Sequence, residues 1–233
     1  MGAGLAWRGW APCHTPPAVS RPVARSPAPR EASGTGDLAV RLWHEAVAPD
    51  APGSLVPVYL AARGLTLPAD APLCFHPDCP RGAERWPAML ALMTDPATGT
   101  PCGLHHTFLA RDGAGKAPGE PKKAMLGSAG VIRLAPDGDV TLGLAEGIET
   151  ALAVMQRTGW APVWAATSAG AIRSFPVLPG IECLTVFADA DGAGIEAARA
   201  CCRDWAAAGC EARILAPTGG DWDDALPRGE RAA

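Results

Sequence analysis

The sequence of 233 residues has no long apolar run and only one tyrosine, Tyr59. No uninterrupted apolar stretch reaches the roughly 18–20 residues that a membrane-spanning helix needs. The first residues, MGAGLAWRGWAP, also lack the apolar segment of a secretory signal. We therefore expect a soluble, cytoplasmic protein that does not bind membranes.

The eight cysteines do not follow the spacing of a disulfide-bonded framework. Several fall in segments that are predicted to be buried strands or helices, so reduced thiols in a cytosolic protein are the simplest interpretation. Cys74, His76 and Cys79 could supply three zinc ligands, but no second pair of ligands follows at a suitable spacing. Core or turn residues are the alternative interpretation of this segment.

Proline and charge are unevenly distributed along the chain. Residues 1–36 contain six prolines, four arginines and a single acid, Glu31, which predicts a disordered tail. Residues 1–144 carry 13 Lys and Arg against 12 Asp and Glu, whereas residues 145–224 carry 5 against 11, giving net charges of +1 and −6. The acidic second part argues against nucleic-acid binding over the whole surface but permits metal-mediated binding at one face.

The segment from residue 37 to 139 is predicted to be a small mixed α+β module. Apolar residues recur at helical spacing at its start, and two strand-like runs flank a turn further on. The predicted elements are a helix from Asp37, a short helix at Tyr59–Gly64, strands at Met89–Met93 and Cys102–Leu109 around a turn at Asp95–Gly99, and a charged loop at Arg111–Lys123.

From Val140 onward, predicted strands and helices alternate. Such alternation with short glycine-bearing links indicates a parallel sheet with helices packed on it, which is an α/β fold. The predicted strands are Val140–Ala145, Pro162–Ala166, Leu184–Ala188 and Ala212–Ala216, and the predicted helices are Ile148–Arg157 and Ile195–Ala208.

Acidic side chains follow three of these strands. Glu146 comes directly after the first, Asp189 and Asp191 follow the third, and Asp221 and Asp223 follow the last. Because the carboxyl ends of parallel strands open onto one crevice, we expect these carboxylates to converge. Hard oxygen ligands of this kind suit Mg²⁺ or Mn²⁺. The pattern predicts a metal-dependent phosphoryl-transfer site.

Taken singly, these acidic clusters have ordinary structural explanations. Asp191-Gly192 could be a turn and helix cap, and the acids at 221–224 could lie in a solvated loop. Two carboxylates two residues apart in an extended stretch point the same way, however, so Asp189 and Asp191 can share a metal ion.

The order Glu146-Gly147, Asp189-x-Asp191 with Gly194, and Asp221-x-Asp223-Asp224 resembles the Toprim domain. Bacterial-type DNA primases share this domain with type IA and type II topoisomerases and certain nucleases. The resemblance implies a Rossmann-like, parallel four-stranded sheet with flanking helices over residues 140–226, followed by a tail at 227–233.

The same resemblance implies roles for individual residues. Glu146 would act as general acid or base, and Asp189 and Asp191, joined by Asp221 and Asp223, would bind Mg²⁺ or Mn²⁺. This chain differs from primases of this type, which usually carry an aspartate four residues after the glutamate. Thr150 stands there, with Glu149 one place earlier.

Residues 55–134 resemble the basic subdomain that precedes Toprim in bacterial-type primases. The resemblance is carried by a helix ending in Arg63-Gly64, a hairpin, a strand at Gly103–Leu109 and a Pro121-Lys122-Lys123 loop. It is closest to the versions fused to helicases in phages, plasmids and other mobile elements. Where the primase hairpin usually has a template-contacting arginine, this chain has His105, His106 and Thr107.

This resemblance makes Lys116, Lys122 and Lys123 candidates to hold template or nucleotide phosphates. A solvated, lysine-rich surface loop is the alternative. Ser168 and Arg173 follow the second Toprim strand, where the family approaches nucleic acid, and small residues there allow close approach to a phosphate. Plain turn chemistry is the alternative for that pair.

The expected function is that of a DNA primase-type nucleotidyltransferase core. It would join ribonucleotides on a single-stranded DNA template during replication and could act with a replicative helicase. The alternatives are a Toprim nuclease and a non-catalytic nucleic-acid-binding accessory or decayed fragment of a primase-helicase. A topoisomerase is disfavoured because Tyr59, the only tyrosine, falls in a predicted helix of the upstream module.

Overall fold

A computed structural model of the chain describes residues 34–136, 140–218 and 222. The predicted N-terminal tail before Gly34 and the predicted C-terminal tail at 227–233 lie outside these ranges. So do Asp221 and Asp223, two of the predicted metal ligands.

The first part of the chain forms a four-stranded antiparallel sheet in the order β1-β2-β3-β4. The predicted hairpin is confirmed, since β2 and β3 pair around a turn in which Asp95 Oδ1 accepts hydrogen bonds from the backbone of Ala97 and Thr98. The elements are α1 (Gly34–Glu45), α2 (Val56–Ala61), β1 (Leu73–Arg81), β2 (Glu84–Thr94), β3 (Pro101–Phe108) and β4 (Lys123–Gly127).

Two of these strands were not predicted. β1 contains Pro77 and Pro80, which weaken a strand pattern, and its pairing with β2 is interrupted between His76 and Cys79. β4 begins at Lys123, where the predicted charged loop ends, and it forms an outer strand beside β3. The predicted module is therefore richer in strands than its sequence pattern indicates.

Cys74, His76 and Cys79 lie in β1 rather than in a metal site. Cys79 is buried and Cys74 is half-buried, and both are free thiols. In residues 34–136, 140–218 and 222, no three His, Cys, Asp or Glu side chains are grouped closely enough to hold a metal. The zinc interpretation has no support in this part of the chain, and these side chains are core and strand residues.

Two adjacent histidines are buried in β3. His105 is 4% exposed and His106 is 2% exposed. Nδ1 of His105 and Nε2 of His106 have no hydrogen-bond partner among the described residues, while His106 Nδ1 lies 3.7 Å from Cys79 Sγ. Burial lowers the pKa of both imidazoles to about 4, with Lys123 adding to the effect at His105. Both histidines are therefore neutral at physiological pH.

We expect acid to destabilise the protein through these histidines. Because their folded-state pKa values lie below the ordinary value of 6.5, the unfolded chain binds more protons as the pH falls. For each histidine, the free energy of unfolding should fall by about 3 kcal/mol as the pH is lowered from 6.5 to about 4. Urea unfolding across that range measures the loss. His106→Leu should be less acid-sensitive, and equal sensitivity of His106→Leu and of exposed His44→Gln would contradict the assignment.

The second part of the chain forms a five-stranded sheet in the order β5-β7-β6-β8-β9. Four neighbouring strands, β7, β6, β8 and β9, are parallel, as predicted. The two-residue strand β5 was not predicted and pairs antiparallel with β7. The elements are β5 (Ile132–Arg133), β6 (Thr141–Ala145), α3 (Ile148–Thr158), β7 (Val163–Ala165), α4 (Ala169–Arg173), β8 (Cys183–Phe187), α5 (Gly192–Ala207) and β9 (Glu211–Leu215).

One hydrophobic core joins the two sheets. Tyr59 and Leu60 of α2 belong to the same buried cluster as Met89 of β2 and as Ile148 and Leu152 of α3. Polar contacts reinforce this packing. None of the helices in the described part of the chain has the length and apolar character needed to cross a membrane.

The polar contacts between α3 and the segment after α2 are made by side chains to backbone groups. Gln156 accepts a hydrogen bond from Thr66 N at 2.9 Å and donates one to Thr66 O at 2.7 Å. Arg157 donates to the carbonyl of Arg63 at 2.8 Å. These bonds fix the position of Arg63 relative to α3.

Candidate active site

Two acidic side chains lie at the carboxyl ends of adjacent parallel strands. Ala145 and Phe187 are paired residues at the ends of β6 and β8, and Glu146 and Asp189 follow them. Asp191 precedes α5 as its N-cap, and its Oδ1 accepts a hydrogen bond from Gly194 N at 2.6 Å. The structure therefore brings Glu146 and Asp189 together, and it confirms a capping role for Asp191.

The strand ends open onto a pocket of about 130 Å³. Its lining combines acidic side chains of the second sheet and its helix, including Glu146 and Asp189, with basic side chains of the first part of the chain. The lining residues are Arg63, Lys116, Lys123, Glu146, Gly147, Glu149, Thr150 and Asp189. The pocket thus joins cations and carboxylates from sequence regions that are far apart.

Glu146 is electrostatically strained in this pocket. Burial raises the pKa of its carboxyl above the ordinary 4.5, and the nearby negative charges of Asp189 and Asp191 raise it further, while Lys123 opposes them. A carboxylate with a raised pKa is a better proton acceptor than an ordinary surface carboxylate. A cation bound near these acids would relieve their mutual repulsion.

Glu149 is a second carboxylate of the pocket and is only 8% exposed. Its Oε1 accepts a hydrogen bond from the Tyr59 hydroxyl at 2.5 Å and lies 3.0 Å from Lys116 Nζ. Burial alone would raise the pKa of this carboxyl, but Lys116, Lys123 and the Tyr59 hydrogen bond hold it well below its usual range. Glu149 is therefore a buried carboxylate that is ionised at neutral pH.

Gly147 lacks a side chain, which leaves room for the charged groups of Glu149 and Lys123 close to its backbone. A Cβ at this position would lie 3.3 Å from Glu149 Oε2 and 3.9 Å from Lys123 Nζ. A larger side chain would press on the carboxylate and fill the space between the two groups.

The three lysines predicted to bind phosphates divide into two groups. Lys116 and Lys123 line the pocket, whereas Lys122 lies outside its lining, with its ammonium 3.7 Å from Glu120 at the exposed surface. The alternation of side chains along an extended chain explains why neighbours 122 and 123 separate in this way.

Comparison with known proteins gives two family matches. Residues 33–133 match a domain of unknown function (DUF7146), and residues 141–231 match the Toprim domain. The carboxyl-end acids described above fall within the second match. The second part of the chain is a Toprim domain. A search of curated proteins finds no match to the sequence.

Several solved primase structures are similar to this chain. A DNA primase domain from Pseudomonas aeruginosa has a TM-score of 0.51 at 16% identity, covering 82% of this chain and 73% of that chain. The primase fragment of the bacteriophage T7 primase-helicase has a TM-score of 0.49 at 15% identity, covering 71% and 67%. The zinc-binding and RNA polymerase domains of Aquifex aeolicus primase have 0.48 at 15%, covering 72% and 51%.

The Pseudomonas comparison shows that the fold is primase-like. At 16% identity, the likeness concerns the fold alone. The chain spans about half of the Aquifex protein it matches.

Ser168 and Arg173 are not among the residues that line the pocket. The Ser168 hydroxyl caps α4 by accepting a hydrogen bond from Ala171 N at 3.1 Å. The Arg173 guanidinium is more than half exposed and lies 3.9 Å from Glu196. Both positions have a local structural role, and phosphate binding by either residue stays a prediction.

Thr167 was not selected from the sequence, yet its backbone is unusual. Its φ of +72° is a left-handed conformation that β-branched residues rarely adopt. Its N–H donates to Glu146 O at 2.8 Å, and its hydroxyl lies 3.3 Å from Met125 Sδ of β4. The strained residue therefore connects the Toprim strand end to the antiparallel sheet.

Glu146 and Asp189 offer hard oxygen ligands of the kind that a divalent metal binds, but among residues 34–136, 140–218 and 222 no third ligand is grouped with them closely enough to complete a metal site. Asp189 is half-buried near Glu146, and the charges of Asp189 and Asp191 both act on that glutamate. Trp222 donates its indole N–H to Ala188 O at 3.0 Å, one residue before Asp189. Asp221 and Asp223 are its sequence neighbours but lie outside the described residues, so their role as metal ligands stays a prediction.

Proposed function

We propose that this chain is the catalytic core of a DNA primase-type nucleotidyltransferase. It joins ribonucleotides on a single-stranded DNA template and uses Mg²⁺ or Mn²⁺. The observation that carries the proposal is the pocket that Glu146 and Asp189 of the Toprim strand ends line together with Lys116 and Lys123. Cations together with carboxylates suit a substrate that brings both phosphates and metal ions.

Basic and acidic side chains of the pocket both have a role in phosphodiester formation. The Lys123 ammonium attracts template or nucleotide phosphates and stabilises charge that develops on the reacting phosphate. Glu146, whose pKa is raised, accepts the proton of the 3′-hydroxyl as its oxygen bonds to the α-phosphorus of the incoming ribonucleoside triphosphate, whose α–β phosphoanhydride bond breaks to release pyrophosphate. When bound, Mg²⁺ or Mn²⁺ would be held by Asp189 and Asp191, with Asp221 and Asp223, and would neutralise phosphate charge.

The position of Tyr59 supports a primase over a topoisomerase. Its hydroxyl is buried and donates a hydrogen bond to Glu149, and burial followed by the charge of Glu149 raises the pKa of the phenol far above its usual value. A phenol in that state is a poor nucleophile. The partners that we propose are single-stranded DNA, ribonucleotides and a replicative helicase.

Primer synthesis on a mixed single-stranded template, with labelled ribonucleotides and Mg²⁺ or Mn²⁺, tests the proposal. Wild-type protein should form oligonucleotides that disappear on chelation. Asp189→Ala should reduce product at limiting metal by at least the roughly 10- to 100-fold that outer-shell partners of a metal site are worth. Glu196→Ala, which removes an exposed acid of α5, provides the matched control.

The alternatives give different results in the same assay. Metal-dependent cutting of the template without synthesis, lost in Asp189→Ala, would identify a Toprim nuclease. Template binding without either reaction would identify a nucleic-acid-binding accessory, and both results would overturn the primase proposal.

A further inference from the structure

Glu149 connects three segments that are distant in sequence. It lies in the first turn of α3, Tyr59 belongs to α2, and Lys116 belongs to the segment between β3 and β4. Its Oε1 is shared by the Tyr59 hydroxyl and the Lys116 ammonium. The carboxylate is therefore already engaged by two donors from the first part of the chain.

The burial of the two charges is unequal. The side chain of Glu149 is 10% exposed and that of Lys116 is 24% exposed. Lys116 also has a long, flexible stem that can carry its charge into water. Glu149 has no such route, because α3 fixes it inside the pocket. The carboxylate is the fixed member of the pair, and the ammonium is the member that needs to be held.

Without Glu149, the surroundings of Lys116 would disfavour its charged form in the pocket. Burial lowers the pKa of the Lys116 ammonium, and the positive charges of Lys123 and Arg63 lower it further. The Glu149 carboxylate opposes both effects. The remaining group here, Tyr59, directs its hydroxyl at Glu149. The contact with Glu149 thus offsets part of the effect of burial and two like charges, and the pKa of Lys116 stays below its ordinary value.

We propose that Glu149 is a positioning residue, which holds the ammonium of Lys116 in the pocket that Glu146 and Asp189 also line. In this role it presents a cation to the substrate phosphates and does not ligate metal itself. The role in substrate binding rests on the proposed function. The holding of Lys116 does not, and it can be measured in a protein without activity.

Reactivity of lysine side chains toward an acetylating reagent, read residue by residue by mass spectrometry, tests the proposal. Glu149→Gln keeps the size of the side chain and an oxygen for Tyr59 but loses the charge that holds Lys116. Acetylation of Lys116 should rise by roughly tenfold, the equivalent of one charge-assisted hydrogen bond. Acetylation of exposed Lys122 in the same sample should not change.

Tyr59→Phe is the matched control because it removes the other hydrogen bond to the same oxygen. The Lys116 pair is left in place, so Lys116 should stay protected in Tyr59→Phe. Unchanged acetylation of Lys116 in Glu149→Gln would overturn the proposal. An equal rise in both variants would also overturn it, because it would show general loosening of the packing.

Wild-type protein provides a second measurement if Glu149→Gln fails to fold. Lys122 is 52% exposed and Lys116 is 24% exposed, so exposure alone predicts about a twofold difference in acetylation. The lowered pKa of Lys116 would by itself make it react faster, whereas holding by Glu149 predicts that it reacts roughly tenfold more slowly than Lys122. A difference no larger than the ratio of the two exposures would contradict the proposal.

Kinetics then separate this proposal from the proposed function. If wild-type protein synthesises primers, Glu149→Gln should raise KM for ribonucleotide more than it lowers kcat, because Glu146 and Asp189 are untouched. A fall in kcat alone would refute the role in substrate binding. Protected Lys116 in a protein that makes no primers would overturn the proposed function and leave the positioning role intact.

Discussion

Glu146→Gln should abolish primer synthesis while leaving the folded protein at least as stable at neutral pH. The substitution removes the proposed proton acceptor, which is worth roughly 10²- to 10⁴-fold in rate. It also removes a carboxylate whose pKa is raised by burial and by Asp189 and Asp191. That charge opposes folding, so its loss should not destabilise the pocket.

The pH dependence gives this prediction its sign. The folded-state pKa of Glu146 lies above 4.5. The wild-type protein therefore loses stability as the pH rises from the unfolded-state pKa of this carboxyl to its folded-state pKa. The stability of Glu146→Gln relative to wild type should therefore increase above pH 4.5. Primer synthesis measures the loss of activity, and urea unfolding measures the change in stability.

Glu196→Gln makes the same chemical change at a side chain that is 73% exposed. It should alter neither primer synthesis nor stability. A destabilised Glu146→Gln protein would contradict the electrostatic account.

Lys116→Met should be one of the most destabilising single substitutions in the pocket. It leaves Glu149 buried without its closest cation, and breaking a buried pair from one side costs roughly 3–5 kcal/mol. For a chain of this length, the melting temperature should fall by about 6–20 °C. Lys122→Met removes a lysine from the exposed surface and should change stability by less than about 0.5 kcal/mol.

The double variant Lys116→Met/Glu149→Gln distinguishes an unpaired charge from lost packing. It removes both charges, so it should recover most of the stability that Lys116→Met loses. The difference in stability between wild type and Lys116→Met should also become smaller below pH 4.5. Glu149 becomes neutral there in the variant, whereas in the wild type its lowered pKa keeps it charged. Thermal unfolding at about pH 7 and about pH 4 makes the comparison. No recovery in the double variant would show that packing of the lysine stem dominates.

The parallel sheet and the position of Glu146 and Asp189 could be predicted because their signals are local. Each strand is a short apolar run, and each acid directly follows one, so strand-end geometry brings the acids together. Strand β5 could not be predicted, since it has only two residues and forms by pairing with β7. Its structure comes from the sheet beside it rather than from its own sequence.

The role of Glu149 was also outside the reach of local pattern. A glutamate is ordinarily exposed, and the group that donates to it, Tyr59, is 90 residues away in sequence. The available signal was its place among the apolar residues of IETALAVM, which form most of the buried side of α3. A charge within such a run indicates a buried partner but does not identify it.

The core shared by α2, β2 and α3 also determines how a mutation in that core affects the pocket. Arg63, Lys116 and Glu146 line the pocket, and Leu60 and Ile148 belong to the core that joins the two sheets. The two sheets cannot separate without exposing Leu60, Ile148 and their neighbours to water, which is costly in proportion to the apolar area. A mutation deep in β2 should therefore reduce the fraction of molecules that have any pocket, rather than produce molecules with a loosened one. In the cell, such a mutation would lower the amount of folded protein and leave the activity of each folded molecule unchanged.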